Sequence, residues 1–285
     1  MRKTTMRKII LSLLACLFLL LKGFAQNTCY EQADSLLITS LLKEGNTSTL
    51  FYARKLIGLP YVAHTLEVND LEKLVVNTRQ LDCTTLVETV AALTLCAQKG
   101  QKSFSDYTHM LKQLRYRSGK LDGYESRLHY FSDWIDDKQK MGFVTEIQNP
   151  NPPFTAVQKL CIDYMSKHPN SYKALKNNAA LVKKIADTEK KLTGRNYRYI
   201  PKALVNNTQA LRKAVKDGDI IAITCNKPGL DIAHLGFAVW RKDGLHLLNA
   251  SQLHKKVVEE PMTMGQYLSK HPSHTGIRVV RIKNQ

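Results

Sequence analysis

The chain has 285 residues, of which 44% are hydrophobic and 23% are charged, and its formal net charge is +18 at pH 7. This length suits one large domain or two small ones, with enough apolar residues for a sizeable core. The excess of positive charge favours an anionic surface or polymer as neighbour. The basic residues are scattered and accompany no nucleic-acid-binding motif, so nucleic acid is excluded as the expected partner.

The first predicted element is a secretory signal peptide over residues 1–25. A basic start is followed by a thirteen-residue apolar run from Ile9 to Leu21 and by small residues ending at Ala25. This is the layout of an export signal, and the run is shorter than the roughly 20 residues that a membrane-spanning helix needs. We therefore expect an exported, periplasmic protein with no transmembrane segment.

Cleavage after Ala25 leaves residues 26–285 as a single domain, whose net charge falls to +13 because five basic residues and no acidic ones are removed. An alternative is a lipid anchor through Cys16, because the residues before it resemble a lipoprotein cleavage box. The apolar run continues beyond Cys16, which argues against cleavage there. Five cysteines would remain in an oxidising compartment, and an odd number leaves at least one thiol without an internal partner.

The mature chain reads as helices first and strands later. Apolar residues at three- and four-residue spacing predict mainly helical structure from about 31 to 190, including a helical insertion at about 100–200. A proline-rich stretch, 148–153, predicts a loop in this region. From Asp217 onward, short apolar runs alternate with turn signals and predict an antiparallel set of strands at 220–224, 235–240, 245–248, 257–258 and 277–282. The pattern favours an α+β fold with helices packed on one face of the sheet.

Cys83 is the first candidate for chemistry, because the segment Leu81-Asp82-Cys83-Thr84-Thr85 places it at a helix start. Asp82 or Thr85 can cap this helix, and Thr85 with Glu88 has the capping-box spacing. The positive end of the helix dipole stabilises a thiolate, which is the nucleophilic form of cysteine. From this motif alone, a reactive cysteine and a buried structural cysteine are both open.

His234 and Asn249 supply the remaining parts of a possible triad. His234 opens a predicted strand, where its imidazole could take a proton from the thiol and return it to a leaving amine. Asn249 lies on the neighbouring predicted strand after a hairpin and could hold the imidazole in the correct tautomer.

Four motifs in order resemble the papain-like NlpC-type cysteine peptidases of bacterial cell walls. They are Gly58-Leu59-Pro60-Tyr61, Leu81-Asp82-Cys83-Thr84-Thr85, His234-Leu235-Gly236 and Asn249-Ala250-Ser251. Thr84-Thr85 replaces the usual Ser-Gly, and Asn249 stands where a third histidine is common. With Thr65-Leu66-Glu67 and the segment 127–134, these departures resemble a branch of N-acetylmuramoyl-L-alanine amidases from Bacteroides-like bacteria, once labelled a domain of unknown function.

This resemblance implies a papain-like core and hydrolysis of the amide between N-acetylmuramic acid and L-alanine, with a preference for 1,6-anhydro sugars. By carry-over, Cys83 is the nucleophile, His234 the base and then the acid, Asn249 the orienting residue, and Tyr61 a hydroxyl near the oxyanion. The expected partners are peptidoglycan fragments of the anhydro-muropeptide type. No metal and no cofactor are expected, and oligomeric state is left open.

The segment 123–134 is the candidate for substrate recognition. On a helix, Arg127, Tyr130 and Trp134 would share one face, and with His129 they could meet sugar rings and anionic groups. Asp231 could bind substrate amides, although we favour a role in shaping its loop. The alternative is an amphipathic helix that packs Tyr130 and Trp134 into the core.

Two other functions remain open at the level of sequence. One is a stem-peptide endopeptidase of the parent type, which uses the same triad on the bond between D-glutamate and diaminopimelate. The other is a non-catalytic wall-binding protein that keeps the fold.

Overall fold

The computed structural model describes residues 28–284, which form an α+β fold with an antiparallel main sheet. The helices are α1 Gln32–Lys43, α2 Thr49–Lys55, α3 Cys83–Gln98, α4 Phe104–Arg115, α5 Phe131–Lys140, α6 Tyr164–Lys167, α7 Ala179–Leu192, α8 Gln209–Ala214 and α9 Met264–Ser269. The strands are β1 Thr28–Cys29, β2 Leu74–Val75, β3 Val144–Glu146, β4 Ala156–Lys159, β5 Asn196–Pro201, β6 Ile220–Cys225, β7 Ile232–Trp240, β8 Leu245–Ser251, β9 Lys256–Glu259 and β10 His274–Ile282. Short 3₁₀ turns lie at Arg117–Gly119, Tyr124–Ser126, Pro169–Ser171 and Lys202–Leu204.

The main sheet runs in the order β4-β5-β10-β6-β7-β8-β9, and β3 also pairs with β10. The long strand β10 pairs with β5 near its start and with β3 near its end, while its other edge pairs with β6. All of these pairs are antiparallel. A small parallel pair of β1 and β2 stands apart from the main sheet.

A β-bulge lies at the start of β7. Ile223 pairs with His234, but Thr224 pairs with Ile232, so Ala233 is an extra residue on β7. Bulges bend a strand and re-aim its side chains, and they are frequent next to active sites. Here the bulge lies directly before the candidate base His234.

Helix α3 is the centre of the helical layer. Its residues from Thr85 to Cys96 are all buried, and its apolar side chains share one core cluster with Leu235 and Phe237 of β7. Burying such a side chain contributes about 1.5–3 kcal/mol relative to leaving it exposed. The helix is therefore held tightly against the sheet, and its first residue, Cys83, lies beside the start of β7.

The structure agrees with the predicted C-terminal strands and corrects the reading of the middle of the chain. All five predicted strands are present, and the predicted loop at 148–153 lies between β3 and β4. The expected helical insertion at about 100–200 is wrong in part, because β3, β4 and β5 of the main sheet fall within it. These strands are only three to six residues long, so their alternation was too brief to outweigh the helical pattern around them.

The papain-like identity of the core and the single-domain boundaries stay predictions. The predicted signal peptide, its cleavage after Ala25 and the alternative anchor at Cys16 lie outside the described residues. Among residues 28–284, no helix has both the length and the apolar character that crossing a membrane requires.

Candidate active site

Cys83 is the first residue of α3, and the helix is capped directly in front of it. The Asp82 carboxylate accepts a hydrogen bond from the Thr85 backbone N–H at 2.8 Å, and the Thr85 hydroxyl oxygen accepts one from the Asp82 N–H at 2.9 Å. The capping box therefore pairs Asp82 with Thr85, and the predicted box of Thr85 with Glu88 is wrong. Glu88 is buried and pairs with Arg115 at 2.6 Å instead.

The thiol of Cys83 is neutral in the resting protein. Burial raises the pKa of the Cys83 thiol to about 12, and the charge of Asp82 acts in the same direction. Hydrogen bonds from the backbone N–H of Leu235 and from Thr84 oppose this rise in pKa but do not outweigh it. Desolvation of the charged form therefore favours the protonated thiol and opposes the stabilisation of thiolate that is expected at a helix start.

His234 is oriented by Asn249 through a hydrogen bond that defines its tautomer. The Nε2 atom of His234 lies 3.0 Å from Oδ1 of Asn249, and Nδ2 of Asn249 faces the carbonyl oxygen of Leu247 at 3.5 Å. A carbonyl only accepts, so the amide must turn its NH₂ toward Leu247 and its oxygen toward the imidazole. His234 then carries its proton on Nε2, and Nδ1 is the basic atom.

Burial lowers the pKa of His234, and the hydrogen bond with Asn249 is the largest of the effects that raise it. The lowered pKa keeps the imidazole neutral at neutral pH. A neutral imidazole that lines the same cavity as a neutral thiol is in the state in which a base can accept the thiol proton during attack. The arrangement therefore suits general-base catalysis from a neutral pair.

Tyr61 lies next to the start of α3 because its loop pairs with the residues before Cys83. The Leu81 N–H donates to the Pro60 carbonyl at 3.0 Å, and the Val62 N–H donates to the Leu81 carbonyl at 3.1 Å. Burial is the main cause that raises the pKa of the Tyr61 hydroxyl, and the nearby Cys83 and then Asp82 raise that pKa further. The hydroxyl therefore keeps its proton and can act as a hydrogen-bond donor close to Cys83.

Cys83 and His234 line one cavity of about 170 Å³. The wall also includes Thr84, His129, Tyr130, Tyr172, Asp231 and Leu235. The structure thus brings together residues that are about 150 positions apart in the sequence, as the triad hypothesis requires. Asn249 lies behind His234 and is almost fully buried.

His129, Tyr130 and Asp231 all reach this cavity, each held by a specific contact. Nε2 of His129 lies 2.9 Å from the Tyr124 carbonyl, so it must be the donor, and burial lowers the pKa of His129 to about 3. The ring is therefore neutral, with Nδ1 as its acceptor atom. The Tyr130 hydroxyl donates to Glu189 at 2.7 Å.

The Asp231 carboxylate already accepts a hydrogen bond from within the protein. Its carboxylate accepts the Ser132 backbone N–H at 2.6 Å, in the first turn of α5. A carboxylate at this end of a helix satisfies a free N–H and complements the helix dipole. The contact supports the loop-shaping role that the sequence favoured.

Arg127 and Trp134 do not face the cavity, and the predicted helical face is wrong. Helix α5 begins only at Phe131, so Arg127 lies before it and cannot share a helical face with Trp134. Arg127 is buried in ion pairs with Glu67 and Glu72, and Trp134 is fully buried and stacked on Phe131. Gly123, with a positive φ of 76°, and the 3₁₀ turn that follows it interrupt the expected periodicity.

Sequence reasoning missed Thr84, Tyr172 and the Leu235 N–H as parts of the site. Thr84 could have been identified from its position next to the proposed nucleophile, whereas Tyr172 lies in a Lys-rich segment with no motif around it.

The five cysteines from Cys29 to Cys225 are all free. Among residues 28–284, no group of three or more His, Cys, Asp or Glu side chains is arranged to hold a metal ion.

A family model and a solved structure that are similar to this chain both carry the name N-acetylmuramoyl-L-alanine amidase. Residues 52–277 match the family model described as AmiA-like, N-acetylmuramoyl-L-alanine amidase-like. The chain is similar to a solved N-acetylmuramoyl-L-alanine amidase from Bacteroides uniformis, with 43% identity and a TM-score of 0.78 over 84% of this chain and 99% of that one. A search of curated proteins found no match.

Two further solved structures are similar. One, from Bacteroides fragilis, is provisionally named a xylanase and has 43% identity and a TM-score of 0.76 over 81% of this chain and all of that one. A protein from Legionella pneumophila shares 24% identity with a TM-score of 0.67, over 87% of this chain and 94% of that one. At that identity, the similarity concerns the fold alone.

Proposed function

This chain belongs to the family of AmiA-like, N-acetylmuramoyl-L-alanine amidase-like proteins, and on that premise we propose the bond and the residues on which it acts. The bond is the amide between the lactyl carbonyl of N-acetylmuramic acid, in particular its 1,6-anhydro form, and L-alanine. Cys83 is the nucleophile, His234 the base and then the acid, and Asn249 the orienting residue. The hydrogen bond between His234 and Asn249, next to a thiol in the same cavity, is the observation that supports this most strongly.

In the first step, the sulfur of Cys83 attacks the lactyl carbonyl while its proton passes to Nδ1 of His234. The carbonyl π electrons move to the oxygen, and the Cys83 backbone N–H and the Tyr61 hydroxyl donate hydrogen bonds to this oxyanion. The first backbone N–H groups of a helix have no partner within the helix, which makes the Cys83 N–H free for this role. Each such donor typically contributes a factor of about 10² to 10³ in rate.

In the second step, the tetrahedral intermediate collapses and the carbon–nitrogen bond breaks. The alanine nitrogen takes the proton from the His234 imidazolium and leaves as a free amine. A thioester remains between Cys83 and the muramoyl lactyl group. Water, deprotonated by His234, then attacks the thioester carbonyl and the carbon–sulfur bond breaks. The muramoyl lactyl group leaves as a carboxylic acid, and the Cys83 sulfur takes the proton back from His234, which restores the neutral pair.

His129 and Tyr130 are proposed to contact the substrate in the cavity, where His129 offers Nδ1 as an acceptor. Asp231 is proposed to act on the substrate through the loop that it holds against α5. Arg127 and Trp134 are not retained as substrate contacts because both are buried away from the cavity. We also propose that the protein works outside the cytoplasm, on peptidoglycan fragments in the periplasm, and that its core is of the papain-like NlpC type.

A glycosidase mechanism has less support than an amidase mechanism. Most glycosidases need two carboxyl groups flanking the sugar bond. Of the residues described, Asp231 is the one carboxylate that lines the cavity, and it already accepts the Ser132 N–H.

Mass spectrometry of products from an anhydro-muropeptide digest tests the proposal. The amidase is expected to release an intact stem peptide with a free L-alanine amine and a peptide-free sugar. A stem shortened after D-glutamate would contradict it and favour the endopeptidase. A non-catalytic wall-binding protein would release neither product, and Cys83→Ala would then behave as the wild type.

A further inference from the structure

The loop that leads into β7 is held by two hydrogen bonds immediately before the bulge at Ala233. The Asp231 carboxylate accepts the Ser132 backbone N–H at 2.6 Å, and the Asp231 carbonyl accepts Nε2 of Gln158 at 2.6 Å. Asp231 is 3% exposed and lies three residues before His234. The position of His234 therefore depends on where Ser132 and Gln158 hold this loop.

Ser132 is in turn held by a buried arginine of the long strand β10. Nη1 of Arg278 donates to Oγ of Ser132 at 2.6 Å, and Nε of Arg278 donates to the Glu146 carboxylate at 2.5 Å. The guanidinium carbon lies 3.9 Å from the centre of the Tyr197 ring. One side chain with no exposed surface thus joins β10 to β3, to β5 and to the first turn of α5.

Stability alone does not explain a charged side chain at this place. Burying a guanidinium and a carboxylate removes both from water, and replacing such a pair by apolar side chains is often neutral or even stabilising. Among the residues that the structure describes, Nη2 of Arg278 also has no hydrogen-bond partner. The rigid fork of an arginine does, however, give directional hydrogen bonds to two elements at once. Arg278 is therefore better suited to fixing the positions of Ser132 and Glu146 than to adding stability.

We propose that Arg278 is a positioning residue for His234, an inference that rests on the proposed function. It acts through the Ser132 hydroxyl, then through the Ser132 backbone N–H to the Asp231 carboxylate, and along the backbone to the bulge. A shift of the first turn of α5 would move the start of β7 and disturb the 3.0 Å contact between Nε2 of His234 and Oδ1 of Asn249. Misplacing a catalytic group by about 1 Å can lower the rate about 10²-fold.

Two substitutions interrupt this series of contacts without removing a group that lines the active-site cavity. Ser132→Ala deletes the hydroxyl and keeps the backbone N–H, whereas Arg278→Lys keeps the positive charge beside Glu146 and loses the fork. The matched control is Thr94→Ala. It also deletes a fully buried hydroxyl from a helix of the core, α3, but the hydrogen bond of this hydroxyl stays within its own helix.

The rate on an anhydro-muropeptide and the tautomer of His234 are measured together. Ser132→Ala and Arg278→Lys should each lower kcat about tenfold and change KM less than twofold. In substrate-free protein labelled with ¹⁵N-histidine, NMR should show the His234 proton on Nε2 in the wild type and a mixture of both neutral tautomers in the two variants. Thr94→Ala should lower the temperature of unfolding and change neither kcat nor the tautomer.

The double variant Ser132→Ala, Arg278→Lys tests whether the two residues act in series. Its kcat should stay within twofold of the slower single variant, and a loss equal to the product of the two single losses would contradict the series. The inference is overturned if both single variants keep kcat within twofold and the His234 tautomer unchanged, whatever their thermal stability. If Arg278→Lys does not fold, Ser132→Ala decides alone. If the wild type releases no stem peptide, the amidase proposal fails, and the tautomer measurement still decides the positioning role.

Discussion

Replacing Asn249 by alanine is the sharpest test of how His234 is held. The substitution removes the acceptor that lies 3.0 Å from Nε2, at a position that is 1% exposed and where water cannot readily replace it. A hydrogen bond to a group that becomes charged contributes about 1.5–3 kcal/mol. At 1.36 kcal/mol per tenfold change in rate, kcat/KM should fall about 10- to 150-fold.

The same substitution should move the pH profile in a defined direction. The hydrogen bond with Asn249 raises the pKa of His234, so removing it leaves burial to lower that pKa further. His234 must be neutral to act as a base, and its pKa sets the acid limb of kcat/KM. In Asn249→Ala this limb should shift to lower pH, while Asn249→Asp, which keeps an acceptor and adds negative charge, should shift it to higher pH.

The assay is the release of stem peptide from anhydro-muropeptides across pH 4 to 9, with thermal unfolding as a check on folding. Ser251→Ala is the matched control, because Ser251 is buried in the same strand two residues away and has no assigned role in the chemistry. An Asn249→Ala protein that keeps kcat/KM within twofold and has an unshifted acid limb would refute the orienting role.

Three further predictions follow from the site and its support. Tyr61→Phe should lower kcat about 10²- to 10³-fold with little change in thermal stability, because it removes one proposed oxyanion donor. Iodoacetamide should alkylate Cys83 slowly at pH 7 and faster as the pH rises, because burial raises the pKa of its thiol to about 12 and the thiolate is the form that reacts. Glu88→Ala should lower the free energy of unfolding, measured in urea, by about 3–5 kcal/mol, because it leaves the buried guanidinium of Arg115 without its carboxylate partner.

Each of these three has a control within the same chain. Tyr267→Phe changes another hydroxyl near the Cys83 thiol and should alter kcat less than threefold. Cys161 is exposed and should be alkylated before Cys83, as peptide mass spectrometry would show. Glu44→Ala breaks an ion pair that is 40% exposed and should cost less than about 1 kcal/mol. Equal effects of a variant and its control would contradict the corresponding prediction.

The sequence was informative where local rules and motifs agree. The capped start of α3 and the C-terminal strands follow from short-range patterns, and the family motifs indicated Cys83, His234 and Asn249 at separate points of the chain. The short strands β3 and β4 were missed because their pairing partner, β10 or β5, lies far along the chain. Long-range pairing of this kind leaves little trace in a local window.

The protonation states of the site residues were harder to predict from the sequence than the identity of those residues. The helix dipole at Cys83 is a local feature that favours thiolate. Burial of the thiol by β7 and the neighbouring loops is a tertiary effect, and it dominates the pKa. In the same way, the heptad-like spacing of Arg127, Tyr130 and Trp134 gave no sign that the chain bends at Gly123 before α5 begins.

Acid-quenched mass spectrometry of the Cys83 peptide during turnover tests the central claim most directly. The proposed mechanism predicts a thioester on Cys83 that carries the N-acetyl-anhydromuramoyl group and no amino acid, and that disappears in His234→Ala. An adduct that also contains L-alanine and D-glutamate, or an acyl group on another residue, would contradict it.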